Sequence, residues 1–160
     1  TRAPLMMVVP GVTKAGSRCN QAVDFMNIYP TLCELCALPI GPHLDGISMV
    51  PLMKDPATTW DRPALTTHGR LNHAVRSNQH RLIRYQDGSE ELYDHANDPM
   101  EWKNLADDPG YKSVKQQLAQ WFPEKNAADA PHDQSSGGKK KQNKKQRGNG
   151  KQNKKAKTVS

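Results

Sequence analysis

Residues 5–9, Leu-Met-Met-Val-Val, form a short unbroken apolar run that Pro10-Gly11 ends. Such a run suits a strand buried on both faces of a parallel sheet, with its pairing neighbours expected upstream. Residues 10–20 hold Gly11, Gly16 and Ser17 and read as a surface loop. Over 27–38 the pattern turns helical, with Ile28, Leu32, Leu35 and Cys36 on one face. Asn27 or Thr31 is expected to cap this helix, Thr31-x-x-Glu34 has capping-box spacing, and Pro39 is expected to stop it. Asp45-Gly46 reads as a turn, and Ser48 as the cap of a short helix over 49–53.

From Ala64 on the period changes to two. Short strands are predicted over 64–67, 73–77, 80–85 and 90–93, with Asp87-Gly88 as a hairpin turn between the last two. A small antiparallel sheet follows. Asp108 and Pro109 then open a second helix, in which Tyr111, Val114, Leu118, Trp121 and Phe122 make one apolar stripe for the sheet. Pro123 is expected to end it.

Charge divides the chain. Of its 23 Lys and Arg residues, ten lie from Lys139 onward, where there is no Asp or Glu; the other 13 face 16 acidic residues over 1–138. The net +7 therefore comes from a tail, and the body is mildly acidic. Beyond Asn126 no large apolar residue occurs until Val159, so disorder is expected over 126–160. Clustered Lys would release counterions from a phosphate or sulfate polymer, so a polyanion is a candidate partner. No aromatic residue interrupts the lysines, which leaves no platform for stacking bases. No apolar run approaches the roughly 18–20 residues of a membrane helix. The chain opens Thr1-Arg2-Ala3-Pro4, with neither an initiator Met nor a leader, and reads as an interior cut of a longer polypeptide.

Chemistry is sparse. The body has no Gly-rich phosphate loop, no H-E-x-x-H and no G-x-S-x-G. Cys33-x-x-Cys36 lacks a second pair, and with Cys19 reads as structural. His43, His80, His95 and His132 are isolated, and read as surface or hydrogen-bonded residues rather than ligands. The stretch 66–76 concentrates cationic and polar side chains where a strand meets a loop. Two imidazoles and an Arg there could hold an anion, Arg bidentately, and Gly69 permits close approach. A solvated loop with Arg76 paired to a carboxylate fits the same residues.

The order of segments adds more than any one of them. Arg2-Ala3-Pro4-Leu5 with Pro10-Gly11-Val12 resembles the R-x-P-L … P-G strand and loop of sulfatases. Val23-Asp24 through Ile28-Tyr29-Pro30-Thr31-Leu32, then Leu38-Pro39 and Asp45-Gly46-Ile47-Ser48, are similar to further segments of that family in the same order. So are Glu91-Leu92-Tyr93-Asp94, Asp98-Pro99-x-Glu101 and Asn104-Leu105-Ala106. Together they span about residues 1–125 and resemble the C-terminal third of a type I sulfatase of the alkaline-phosphatase superfamily, nearest its iduronate-2-sulfatase-like and choline-sulfatase-like members.

The resemblance implies an α/β fragment. Residues 1–62 would end the large α/β domain, 63–125 would form a small subdomain of antiparallel sheet packed with a helix, and 126–160 would be the basic tail. It also implies sulfate-ester hydrolysis by a formylglycine nucleophile with calcium, and export to the periplasm or outside the cell. The nucleophile arises from C-x-P-S-R, and none of Cys19, Cys33 and Cys36 is followed by x-P-S-R. The family's calcium-binding aspartates precede the segment matched by Arg2-Ala3-Pro4. No catalytic residue or metal ligand is therefore carried over, and the chain alone is expected to be inactive. Its partners would be the upstream catalytic portion and a sulfated sugar, which His68, Arg70 and His73 would contact. The alternative is a polyanion-binding module acting through the Lys-rich tail.

Overall fold

Asp24, not Asn27 or Thr31, caps the first helical segment in the computed structural model, which describes residues 3–128. Its Oδ1 accepts the Met26 N–H at 3.1 Å and starts a 3-10 turn, Phe25–Asn27, that runs into α1, Ile28–Leu35. Its Oδ2 accepts the Leu65 N–H at 3.1 Å, so one carboxylate joins the helical part to the sheet.

Asn27 and Thr31 do other work. Asn27 Oδ1 accepts the Ile47 N–H at 3.1 Å; Thr31 Oγ1 accepts the Met49 N–H at 2.8 Å and donates to the Asn27 carbonyl at 2.5 Å. Both are buried, and with Pro30 they turn inward toward a second helix, α2, Val50–Lys54. The expected apolar face is thereby corrected. Leu32 is 47% exposed and Cys36 lies open, because the backbone donors of the segment before α2 need polar partners that only the Asn27–Thr31 side supplies.

The helix also stops before Pro39 can act. Ala37 takes a left-handed φ of 54°, and the Leu38 and Ala37 N–H groups bond the Cys33 and Glu34 carbonyls at 2.8 and 3.1 Å, a Schellman end. Ser48 caps α2 as expected, accepting the Val50 N–H at 3.2 Å. The turn expected at Asp45-Gly46 instead falls just before it, where the Leu44 N–H meets the Gly41 carbonyl at 3.3 Å.

Residues 5–9 are not a strand here, and Met6 and Val8 are 88% and 89% exposed. A strand exists only where a neighbour supplies its ladder bonds, and no described residue pairs with this run.

Downstream, the expected sheet is present. Strands β1 (Ala64–Thr67), β2 (His73–Arg76), β3 (His80–Arg84) and β4 (Glu90–Asp94) form an antiparallel meander in chain order. Leu65, Val75, Leu82 and Leu92 stand in one cross-strand row, and the last three have no exposed surface. Helix α3, Lys112–Ala119, covers that row with Val114 and Leu118, while Leu105, Ala106 and Phe122 complete the core.

Asp108 accepts the Gly110 N–H at 2.9 Å and opens the 3-10 turn Pro109–Tyr111 ahead of α3. Trp121 leaves the predicted stripe because the chain tightens after Ala119, its N–H meeting the Leu118 carbonyl at 3.1 Å; the ring lies 5.9 Å from the Arg62 guanidinium carbon. The β3–β4 connection, residues 85–89, is closed by the Tyr85 N–H on the Ser89 carbonyl at 2.9 Å, with Gly88 at a φ of 84°. The outer edge of β4 is covered: Leu105 N–H bonds the Leu92 carbonyl at 2.8 Å, and Asn104 Oδ1 accepts the Leu92 N–H at 3.0 Å.

All three cysteines are free. Among the described residues no helix is long and apolar enough to cross a membrane. The tail from Lys139 lies outside the described residues.

Candidate functional site

Antiparallel pairing of Thr67 with His73 leaves residues 68–72 as the β1–β2 loop. The His68 N–H closes it on the Asn72 carbonyl at 3.0 Å, and Gly69 and Leu71 both take left-handed φ values, 65° and 67°. Glycine adopts that conformation freely, whereas Leu71 is held in it at a cost of about 1 kcal/mol. His68 and Arg70 are thus carried together on one short exposed loop.

His73 is not with them. It is buried at the start of β2, where Nδ1 meets Thr67 Oγ1 at 2.9 Å and Nε2 meets Asn126 Oδ1 at 2.7 Å. Both ring nitrogens thus have a polar partner. Alternation decides this outcome: His73 shares the face of Val75, which α3 covers.

The β3–β4 loop stands at the same end of the sheet. Asn72 Oδ1 accepts the Gln86 N–H at 3.0 Å, and a depression of about 380 Å³ opens among Asn72, Tyr85, Gln86, Asp87 and Ser89. The Ser89 hydroxyl and N–H, at 2.6 and 2.9 Å from Asp87 Oδ1, hold that carboxyl below its usual range. Burial, then the neighbouring Glu91, raises the Tyr85 hydroxyl. The pair of loops presents one guanidinium, one imidazole and the Asp87 carboxylate to solvent beside amide and hydroxyl groups. Such groups suit hydrogen bonding to a polar, hydroxyl-rich ligand, with the Arg70 guanidinium as the fixed cation.

Two charged clusters escaped the sequence reading. On the sheet face away from α3, Glu101 takes Arg81 Nη2 at 2.5 Å and His95 Nε2 at 2.6 Å, while Arg76 Nη1 lies 2.9 Å from that same nitrogen. Arg76, Arg81 and Tyr93 occupy one cross-strand row, a register that the sequence shows only once pairing is known. On the helix face Glu90 bonds Arg84 at 2.8 Å and Lys115 at 3.0 Å. Burial pushes the Glu90 carboxyl up, but Arg84 and Lys115 outweigh it and hold it below the usual range.

Asp94, from the Glu-Leu-Tyr-Asp segment, is a structural hub. It is buried and accepts from Ala96 N–H at 3.0 Å, Asn97 Nδ2 at 2.7 Å and the Tyr111 hydroxyl at 3.2 Å. The Asn97 bond first, then Ala96, Tyr111 and nearby His80, hold its carboxyl below the usual range against the effect of burial. A carboxyl whose folded pKa is depressed stabilises the fold above its unfolded pKa, about 3.9, and loses that contribution as pH falls through the folded value. Asp94→Asn is expected to cost about 1–3 kcal/mol at neutral pH, since an amide must turn a donor toward other donors. Urea midpoints at pH 7 and pH 3 check this: the difference between wild type and variant should shrink in acid.

The profile of the family described as N-sulphoglucosamine sulphohydrolase, C-terminal, matches residues 1–128. A Formosa agariphila protein named sulfatase is 39% identical over 127 residues, covering 79% of this chain and 25% of its own. The Δ4,5-hexuronate-2-O-sulfatase of Bacteroides thetaiotaomicron is 29% identical over 128 residues, covering 71% of this chain and 26% of its own. Human arylsulfatase K is 30% identical over 118 residues, covering 64% of this chain and 22% of its own. The chain thus spans about a quarter of the length of each of these relatives.

Proposed function

The chain belongs to the N-sulphoglucosamine sulphohydrolase C-terminal family, and from that premise we propose that it is the C-terminal region of a sulfatase hydrolysing sulfate esters of sugars. Its own contribution is one wall of the substrate pocket. The observation that carries this reading is the placement of His68 and Arg70 on one closed, exposed loop. A guanidinium takes a sulfate or carboxylate through two parallel bonds, and an imidazole beside it bonds a sugar hydroxyl. His73 supports the loop from beneath, through Thr67 and Asn126. Relatives named for sulfated hexuronate and for aryl sulfates agree with an anionic substrate.

The family's cleavage chemistry uses a formylglycine and calcium, and the residues present fit neither. Among the described residues no three of His, Cys, Asp and Glu converge, and no cysteine of the chain begins C-x-P-S-R. The bond-breaking groups would lie in the part of a complete sulfatase that this chain does not cover. The same portion is the partner for the uncovered apolar side chains Met6, Val8, Phe25, Tyr29 and Leu38, and residues 5–9 would enter its sheet as an added strand. Residues 1–62 belong with that alkaline-phosphatase-like α/β domain, and 63–125 form the subdomain. Export follows the family resemblance.

Arg70→Ala in the full-length enzyme is expected to raise KM for a sulfated sugar roughly 10-fold or more, the worth of a charge-assisted pair, with kcat changed little. The residue is exposed, so thermal stability should hold. Unchanged kinetics across several sulfated sugars would remove the loop from the pocket.

A further inference from the structure

Asn72 touches the backbone of both pocket residues and of the facing turn. Its carbonyl accepts the His68 N–H at 3.0 Å, its Nδ2 donates to the Arg70 carbonyl at 3.1 Å, and its Oδ1 accepts the Gln86 N–H at 3.0 Å. The loop it spans has two left-handed residues, Gly69 and Leu71. Left-handed backbone at Leu71 relaxes unless its neighbours hold it, because that conformation is unfavourable for a residue with a Cβ.

We propose that Asn72 is a positioning residue for substrate binding: its amide holds Arg70 in its left-handed loop and clamps that loop to the β3–β4 turn, so that the guanidinium meets the anionic group of a sulfated sugar pre-placed. The inference rests on the reading of Arg70 as a substrate contact and adds the residue that sets its geometry. Pre-placement lowers the ordering cost of binding, and a small displacement of a positioned charge forfeits most of its bidentate bond. Polar side chains of the facing turn are engaged elsewhere. The hydroxyl of Ser89 and the carboxylate of Asp87 are bonded to each other within their own turn.

The experiment is a double-mutant cycle on KM in the full-length enzyme with a sulfated disaccharide, using Asn72→Ala, Arg70→Ala and the double variant. Asn72→Ala should raise KM about 5- to 10-fold, approaching Arg70→Ala, and the double variant should be no worse than Arg70→Ala alone. A merely structural Asn72 would lower the melting temperature and multiply its effect with that of Arg70→Ala, which overturns the proposal. If Arg70→Ala raises KM and Asn72→Ala does not, the clamp is refuted and the pocket reading stands. If Arg70→Ala itself changes nothing, the pocket reading falls, and this inference with it.

Discussion

Gly46→Ala is expected to abolish the cooperative fold of the first 60 residues. A Cβ at Gly46 would stand 1.9 Å from the Met26 carbonyl oxygen and 2.4 Å from its carbon, both rigid main-chain atoms. Backbone cannot rotate out of the way as a side chain does, so the two segments must part. They are laced together just beyond the contact by Asn27 to Ile47 and by Thr31 to Met49, and both polar side chains are buried. Separation strands these groups, each worth about 1–3 kcal/mol when left unsatisfied. For the two side chains the sum is about 2–6 kcal/mol, the upper part of which only a few kinds of substitution reach. Chemical denaturation of the full-length protein checks it, with Ile47→Ala as a mild comparison because Ile47 is partly exposed. A Gly46→Ala midpoint equal to wild type would mean the segments slide apart freely.

The second large effect lies in the sheet. Leu82 has no exposed surface, sits between Val75 and Leu92 in the central row, and shares a core with Leu105, Ala106 and Leu118. Leu82→Ala leaves a cavity walled by two strands and α3, and the strands cannot close it without breaking ladder bonds. The expected cost is about 3–5 kcal/mol. The same substitution at Leu65, only half-buried on edge strand β1, should cost clearly less. Equal losses at both positions would show that the row is not the core.

In the linear pattern, residues 27–31 and 45–49 look like a capped helix and a turn before a helix. Their physical content is that they grip each other. Thr31 and Glu34 have capping-box spacing, but Thr31 is already inside the helix, and its hydroxyl serves a backbone 18 residues away. The Asp-Gly pair resembled a turn because turn chemistry and close approach both call for glycine, and a sequence does not distinguish them. His73 illustrates the same limit at the site. It sits five residues from His68 in a polar run, yet strand alternation turns it under α3 while the loop keeps His68 and Arg70 outside.

What the chain determined by itself was everything encoded within a few residues: four short strands, the hairpin between the last two, the Asp108-Pro109 opening ahead of α3 and the Val114–Leu118 stripe of that helix. Alternation, turn residues and caps act over a span shorter than one element, so they survive in the linear pattern. Only tertiary structure decided that residues 5–9 lie uncovered, that Asn27, Thr31 and Asp94 are buried hubs, and that Asn72 ties two loops. Each of those depends on a partner distant in the chain, and hydrogen-bond pairing across such distances leaves no period to read.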